Sequence, residues 1–304
     1  MSRPELWLAP LRGVTIRAFR EAFAGPIREA GFTGAYAPFI PANPGIRVND
    51  RMLADLRPWG GGATEVARSD QEVAHGLTLV PQVITKDPAA MRVLLKGFKA
   101  RGFARADLNV GCPFPMIRRR GRGSGLFRTP DVLERLIEAG CDEMGPGRFS
   151  VKMRLGLECP DEILALMPIL NRYPLAVVTI HARTARQMYE GNCDLAAFLS
   201  AARLSTNPVM YNGDLEMGAQ PPALSAFPLM VGRGFVRALG ARDDSAALLR
   251  RYIEISRGEL SGDHPVLGRV KELVAYWTAA PRWRRLWPLV KISRSVDELL
   301  SLVR

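Results

Sequence analysis

Histidine and cysteine are scarce in this chain. Its 304 residues include three histidines (His75, His181, His264) and four cysteines (Cys112, Cys141, Cys159, Cys193). No two cysteines form a CxxC pair, and the histidines are scattered. This excludes the spaced ligand sets of structural zinc sites and the dense frameworks of disulfide-stapled domains. No metal site is expected, and the thiols are expected to be reduced and available. Long apolar runs are lacking too. No uninterrupted segment approaches the roughly 20 residues of a membrane span. The opening MSRPELWLAP lacks the apolar core of a secretory signal. A cytoplasmic, monomeric protein is therefore expected. There is no internal repeat or low-complexity tract, and no G-x-G-x-x-G follows the first apolar run, which counts against a dinucleotide-binding sheet.

The chain does have positive charge. Lys and Arg number 42 against 30 Asp and Glu, a net +12. Such a field attracts polyanions, although solubility alone would also account for it. The hydrophobic fraction of 47% is ample for a large core. Short apolar runs recur at 6–10, 35–40, 77–84, 106–111, 149–156, 176–182, 208–213 and 228–234. Amphipathic stretches at 17–31, 88–102, 130–140, 161–173 and 194–205 lie between them with apolar residues at helical spacing. The alternation predicts parallel βα units, and eight strands predict a (β/α)8 TIM barrel over residues 1–240. A doubly wound sheet is the alternative. Beyond 240 the strands stop, and helix-like segments at 244–256, 266–280 and 295–304 predict a small all-helical domain over 241–304.

In such a barrel, catalytic groups sit at the C-terminal strand ends. Asn109 and Cys112 end the fourth predicted strand, in 107-DLNVGCPFP-115. Gln82 lies near the end of the third, and Lys152 and Arg154 alternate along the fifth. His181 and Arg183 close the sixth, Asn212, Gly213 and Asp214 the seventh, and Gly232, Arg233 and Gly234 the eighth. The NGD and VGRG tips read as a phosphate site, since loops seven and eight of barrels often hold phosphate. Lys152 and Arg154 face the barrel interior, where cations need an electron-rich partner; a flavin edge or an acid such as Asp107 would serve. The loop 116-MIRRRGRGSGLF-127 combines arginines for phosphates with glycines that permit mobility. In the C-terminal region, Trp277, Trp283 and Trp287 lie beside Arg282, Arg284 and Arg285. RWRRLW there reads either as a packing seam or as an RNA contact, with arginines on phosphates and aromatics on bases.

Taken in order, APLRGVT, Gln82 in VPQV, DLNVGCP, GRGSGLF, VKMRLG, IHARTARQMYEG, NGD, VGRG and HPVLGRVKELVAYW resemble the tRNA-dihydrouridine synthases. The resemblance covers almost the whole barrel and extends to that family's RNA-binding helices. It implies an FMN-dependent oxidoreductase that uses NADPH to reduce the C5=C6 bond of uridines in tRNA. It also implies that Cys112 is the proton donor opposite the hydride donor, which accounts for a thiol at a strand end. By motif position, Pro10, Leu11, Arg12, Gln82, Lys152, His181, Asn212, Gly213, Asp214, Gly232 and Arg233 would hold FMN. Asn109, Arg154 and Tyr189 would contact the uracil. The chain departs from the family pattern at Ile16, Ala37, Pro38 and Ala182, and Arg12 is unusual in its loop. Two other readings fit the residues: a barrel flavoenzyme acting on another RNA or on a small enone or pyrimidine, and an RNA-binding relative without catalysis.

Overall fold

The computed structural model describes residues 4–57, 77–218 and 220–303, so His75 lies outside the described residues. Strand β1 (Leu6–Leu8) is followed by helices α1 (Arg17–Ala22) and α2 (Ala24–Glu29) and by β2 (Phe32–Tyr36). A short β3 (Ile40–Pro41) prolongs β2. Next, β4 (Thr78–Val80) and β5 (Gln82–Ile84) are two halves of one stave, broken at Pro81, which has no N–H for a ladder. The pattern then becomes regular: α3 (Pro88–Lys99), β6 (Ala106–Val110), α4 (Pro115–Arg118), α5 (Pro130–Met144), β7 (Phe149–Gly156), α6 (Glu162–Leu170), β8 (Val178–Thr184), α7 (Leu195–Leu204), β9 (Val209–Asn212), β10 (Leu229–Val231) and α8 (Arg233–Gly240). Four helices end the chain: α9 (Ser245–Glu259), α10 (Asp263–Trp277), α11 (Pro281–Ile292) and α12 (Val296–Leu302).

Every strand pair is parallel, in the order β3-β5-β6-β7-β8-β9-β10-β1-β2-β4. The split stave joins the two edges. Ala37 N donates to the Val80 carbonyl (2.9 Å), and Asp107 N donates to the Pro81 carbonyl (3.0 Å). The sheet thus closes into the eight-staved TIM barrel that strand counting predicts. Trp7, Tyr36, Val80, Met210 and Met230 fill its interior. Local capping agrees with the sequence. The Asp87 carboxylate accepts from Ala89 N and Ala90 N at the start of α3, and Asp194 accepts from Ala197 N at the start of α7.

Four expectations are corrected. The second strand runs over 32–36 rather than 35–40. Its Gly34 sits where a Cβ would come within 2.4 Å of the Trp7 ring. The helical stretch 17–31 divides at Phe23. Helix α11 is absent from the sequence reading because Pro281 and Pro288 look like breakers; Pro281 occupies the first helical turn, where its missing N–H is harmless. Finally, Trp277 and Trp283 of the C-terminal region are core, not base-stacking platforms, while Trp287 is half-buried. Trp277 and Trp283 are both 0% exposed, with ring centroids 4.9 Å apart. Trp277 Nε1 donates to the Val236 carbonyl of α8 (2.8 Å), and its indole lies against Gly240, where a Cβ would stand 2.5 Å away. Arg284 stays exposed and folds back to donate to the carbonyls of Thr278 and Ala279 at the end of α10. The final helices therefore share one apolar core with the barrel helices. Among the described residues no helix is long and apolar enough to cross a membrane.

Candidate active site

A cavity of about 1100 Å³ opens at the C-terminal end of the barrel. Its wall is built from successive strand ends: Pro10, Leu11 and Arg12 after β1, Asn109 and Cys112 at β6, and Lys152 and Arg154 on β7. His181 on β8, Tyr189 beyond it, Asn212 and Gly213 at β9, and Gly232 and Arg233 at the start of α8 complete the ring. Thirteen of the predicted site residues thus meet at one cavity. The other two lie behind its wall. Gln82 is fully buried, donating to Asp107 Oδ2 (2.7 Å) and accepting from Asn109 Nδ2 (2.8 Å). Asp214 lies outside the lining and is held by two arginines.

Cys112 is placed by its own turn. Asn109 Oδ1 accepts from Cys112 N (2.8 Å) and Gly111 N (3.1 Å), while Asn109 Nδ2 is tied to Gln82. A chain of bonds continues inward, since Gln82 holds Asp107 and Ser150 Oγ donates to Asp107 Oδ1 (2.6 Å). Burial pushes the Asp107 carboxyl up to about 6. On the outer side, Ser124 N and Oγ both donate to the Cys112 carbonyl. Gly123, at φ +56°, lies so close that a Cβ would stand 2.8 Å from Cys112 Cβ. The GRGSGLF glycines therefore serve close packing of a short helical turn (Gly123–Arg128), not a mobile loop. Burial also pushes the Cys112 thiol above its ordinary range; the Phe114 backbone N–H and the charges of Arg12, Arg154 and Lys152 pull the other way without reversing it. The thiol is protonated at neutral pH.

The stretch of the ring next to Cys112 is cationic. Lys152 Nζ donates to Asn212 Oδ1 (2.8 Å), and Asn212 Nδ2 donates to the Met230 carbonyl (2.7 Å). Its partner is thus Asn212, not the acid Asp107. Burial and Arg154 lower the Lys152 pKa to about 8. Arg154, 2% exposed, donates to the carbonyls of Gly111 (2.9 Å) and Thr184 (2.8 Å), leaving three of its five N–H donors for other partners. Burial lowers its pKa to about 10. His181 is held neutral, first by burial and then by Arg154, Lys152, Arg183 and Arg233, and its buried Nδ1 has no hydrogen-bond partner among the described residues. Tyr189 lies between two guanidinium groups, Arg233 at 4.6 Å and Arg154 at 5.3 Å from its ring centroid. Met188 before it has φ +53°, the only described non-glycine residue in that region. Arg183, 1% exposed, ties this loop to the next strand by donating to the Glu190 and Gly191 carbonyls and to Asp214. Asp214 also accepts from Arg233 Nη2 (2.7 Å), and the Arg183 bond holds its carboxyl below the usual range.

The loop after Cys112 reaches the wall with Met116, Arg119 and Arg120, in keeping with the phosphate role its arginines suggested. Three wall residues escape sequence reasoning: Phe114 before that loop, and Glu272 and Tyr276 from α10. The last two were legible only as one face of a helix, at i and i+4. In charge, the described lining sets Arg12, Arg119, Arg120, Lys152, Arg154 and Arg233 against Glu272 alone. This wall fits an elongated anionic cofactor with polar ring edges. It offers a buried ammonium, an unpaired buried imidazole nitrogen, and a helix start with Gly232 and Arg233. Among the described residues no cluster could hold a metal ion.

A family model described as "Dihydrouridine synthase (Dus)" matches residues 7–237. The tRNA-dihydrouridine synthase B of Vibrio vulnificus is 24% identical, with 75% of this chain covering 67% of that protein. The tRNA-dihydrouridine(16) synthase of Ralstonia nicotianae is 28% identical over 95% of this chain and 89% of its own length. A probable tRNA-dihydrouridine synthase of Mycobacterium leprae is 30% identical, over 88% and 72% respectively. Among solved structures, morphinone reductase in complex with tetrahydroNAD superposes with a TM-score of 0.51 at 12% identity, covering 77% of this chain and 84% of that one. An old yellow enzyme homologue from Zymomonas mobilis gives 0.51 at 14%, covering 85% and 90%. These likenesses concern the barrel fold. On the family match across the barrel and the 30% identity over most of the chain, the protein belongs to the dihydrouridine synthases, a family of FMN-dependent oxidoreductases.

Proposed function

We propose that this protein reduces uridine in tRNA to 5,6-dihydrouridine, with NADPH as the electron source and Cys112 as the proton donor. The observation that carries the reading is the Cys112 thiol, kept protonated and fixed at a strand end beside a cationic cavity. Pro10, Leu11, Arg12, Lys152, His181, Asn212, Gly213, Gly232 and Arg233 would hold FMN, which when bound supplies hydride to C6 of the uracil. Cys112 gives the proton to C5, so that uridine, NADPH and a proton become dihydrouridine and NADP⁺. The resulting thiolate is stabilised by Arg12, Arg154 and Lys152, the same charges that act on the thiol at rest. It regains its proton from solvent. The free N–H groups of Arg154 suit the carbonyl edge of uracil, and Tyr189, steadied by two guanidinium groups, offers a face for stacking. Asn109 has one amide hydrogen left for the base after holding the turn. The relative aligned over nearly the whole chain is named for position 16, which makes that uridine the first to examine.

The test is mass spectrometry of tRNA incubated with NADPH and the flavin-loaded protein. Wild type is expected to form dihydrouridine, and Cys112→Ala is expected to lose about 10²–10⁴-fold in rate, the usual range for a general acid. Near-normal turnover by that variant would remove Cys112 from the mechanism.

A further inference from the structure

The one acidic side chain among the described residues of the cavity lining, Glu272, comes from α10, as does Tyr276 one turn later. Among the described residues, neither the carboxylate nor the phenol hydroxyl has a hydrogen-bond or ion-pair partner. The first barrel loop makes room for the carboxylate: Gly13 has φ +81°, and a Cβ there would come within 2.5 Å of Glu272 Oε2. Arg12 is its nearest opposing charge, and burial raises its pKa. An ionised carboxylate accepts hydrogen bonds but cannot donate, and it repels phosphate. At the mouth of a site for a polyanion it is unfavourable unless a donor meets it. Barrel topology adds a direction. Helix α10 packs on α8, behind the eighth stave, whereas Arg119 and Arg120 follow the fourth, across an eight-staved barrel.

We propose that Glu272 and Tyr276 form a specificity wall. The Glu272 carboxylate accepts hydrogen bonds from base N–H or ribose hydroxyl groups of the nucleotide entering the cavity, and the Tyr276 hydroxyl donates to its ribose or base oxygens, while its phosphates pass on the Arg119 and Arg120 side. The wall sets which way the strand lies in the mouth. This rests on the RNA-reducing reading, which wild-type dihydrouridine formation tests separately; if wild type forms none, that reading fails before any variant is compared.

With active wild type, the test measures kcat/KM on tRNA at several salt concentrations for Glu272→Gln and Tyr276→Phe, alongside melting curves. Losing a charge-assisted hydrogen bond is expected to lower kcat/KM about 10-fold or more for Glu272→Gln, mostly through KM, with the salt slope unchanged. Tyr276→Phe is expected to lose about 3-fold or more. Melting temperatures are expected to match wild type. Pure electrostatics gives the opposite sign, since removing a carboxylate from a polyanion site should tighten binding. A gain or no change in kcat/KM for a folded Glu272→Gln would overturn the inference.

Discussion

The turn that carries Cys112 depends on a single amide, so Asn109→Ala should separate the two roles open to that residue. Asn109 is 7% exposed and makes three hydrogen bonds, accepting from Gly111 N and Cys112 N and donating to Gln82 Oε1. Truncation removes all three and strands buried groups on Gln82 and the turn. Net values near 1 kcal/mol for each bond, with a penalty for what stays unpaired, sum to about 2–4 kcal/mol. For a chain this long the unfolding entropy is about 0.6 kcal/mol per degree, so the melting temperature should fall by about 3–6 °C. The freed turn should also change how fast Cys112 is alkylated by iodoacetamide, read by peptide mass spectrometry. Asn109→Asp keeps the acceptor that caps Gly111 and Cys112, so it should restore the alkylation rate in part. If Asn109 served only to contact uracil, the alanine variant would melt normally, alkylate normally and lose only RNA turnover. That combination would refute the positioning argument.

Other outcomes follow from the same site. Arg233→Ala should release flavin on dialysis without unfolding the barrel, since it opens the helix start and leaves Tyr189 with Arg154 alone; full flavin occupancy would dismiss Arg233 as a phosphate ligand. Asp107 has a folded pKa of about 6 against about 3.9 in an unfolded chain. The folded state binds the extra proton between those values, so the contribution of Asp107 to stability is full below about pH 4 and is lost, by about 3 kcal/mol, as pH rises through 6. Asp107→Asn should flatten that part of the stability curve, and an unchanged curve would place the titration elsewhere. Changing Arg119 and Arg120 to Ala should lower the log–log salt slope of RNA binding by about 0.7–0.9 for each phosphate that is no longer neutralised. The same slope measured on Arg284→Ala should not move, because that guanidinium is engaged with helix carbonyls.

Much of this protein was written locally. Periodicity of two and of 3.6 marks strands and helices wherever apolar residues alternate cleanly, as in FSVKMRLG and PAAMRVLLKGFK. Parallel topology then follows from their alternation, and topology alone places strand ends on one face. That is why residues as far apart as Asn109 and Arg233 could be assigned to a common site, whereas Leu11 was reached only through the family resemblance. Tertiary contact decided the rest. The need for glycine at position 34 shows only when Trp7 occupies the space a side chain would take. RWRRLW reads as a packing seam or an RNA contact until Trp283 Nε1 donates to Ser245 and the ring meets Trp277, which assigns the indole to the core. Glu272 and Tyr276 are ordinary helix residues until α10 docks on α8 and carries them to the barrel mouth. Periodicity records which face of an element is apolar. Which distant surface that face meets, and which polar side chains are carried along to the site, is set only when the elements pack.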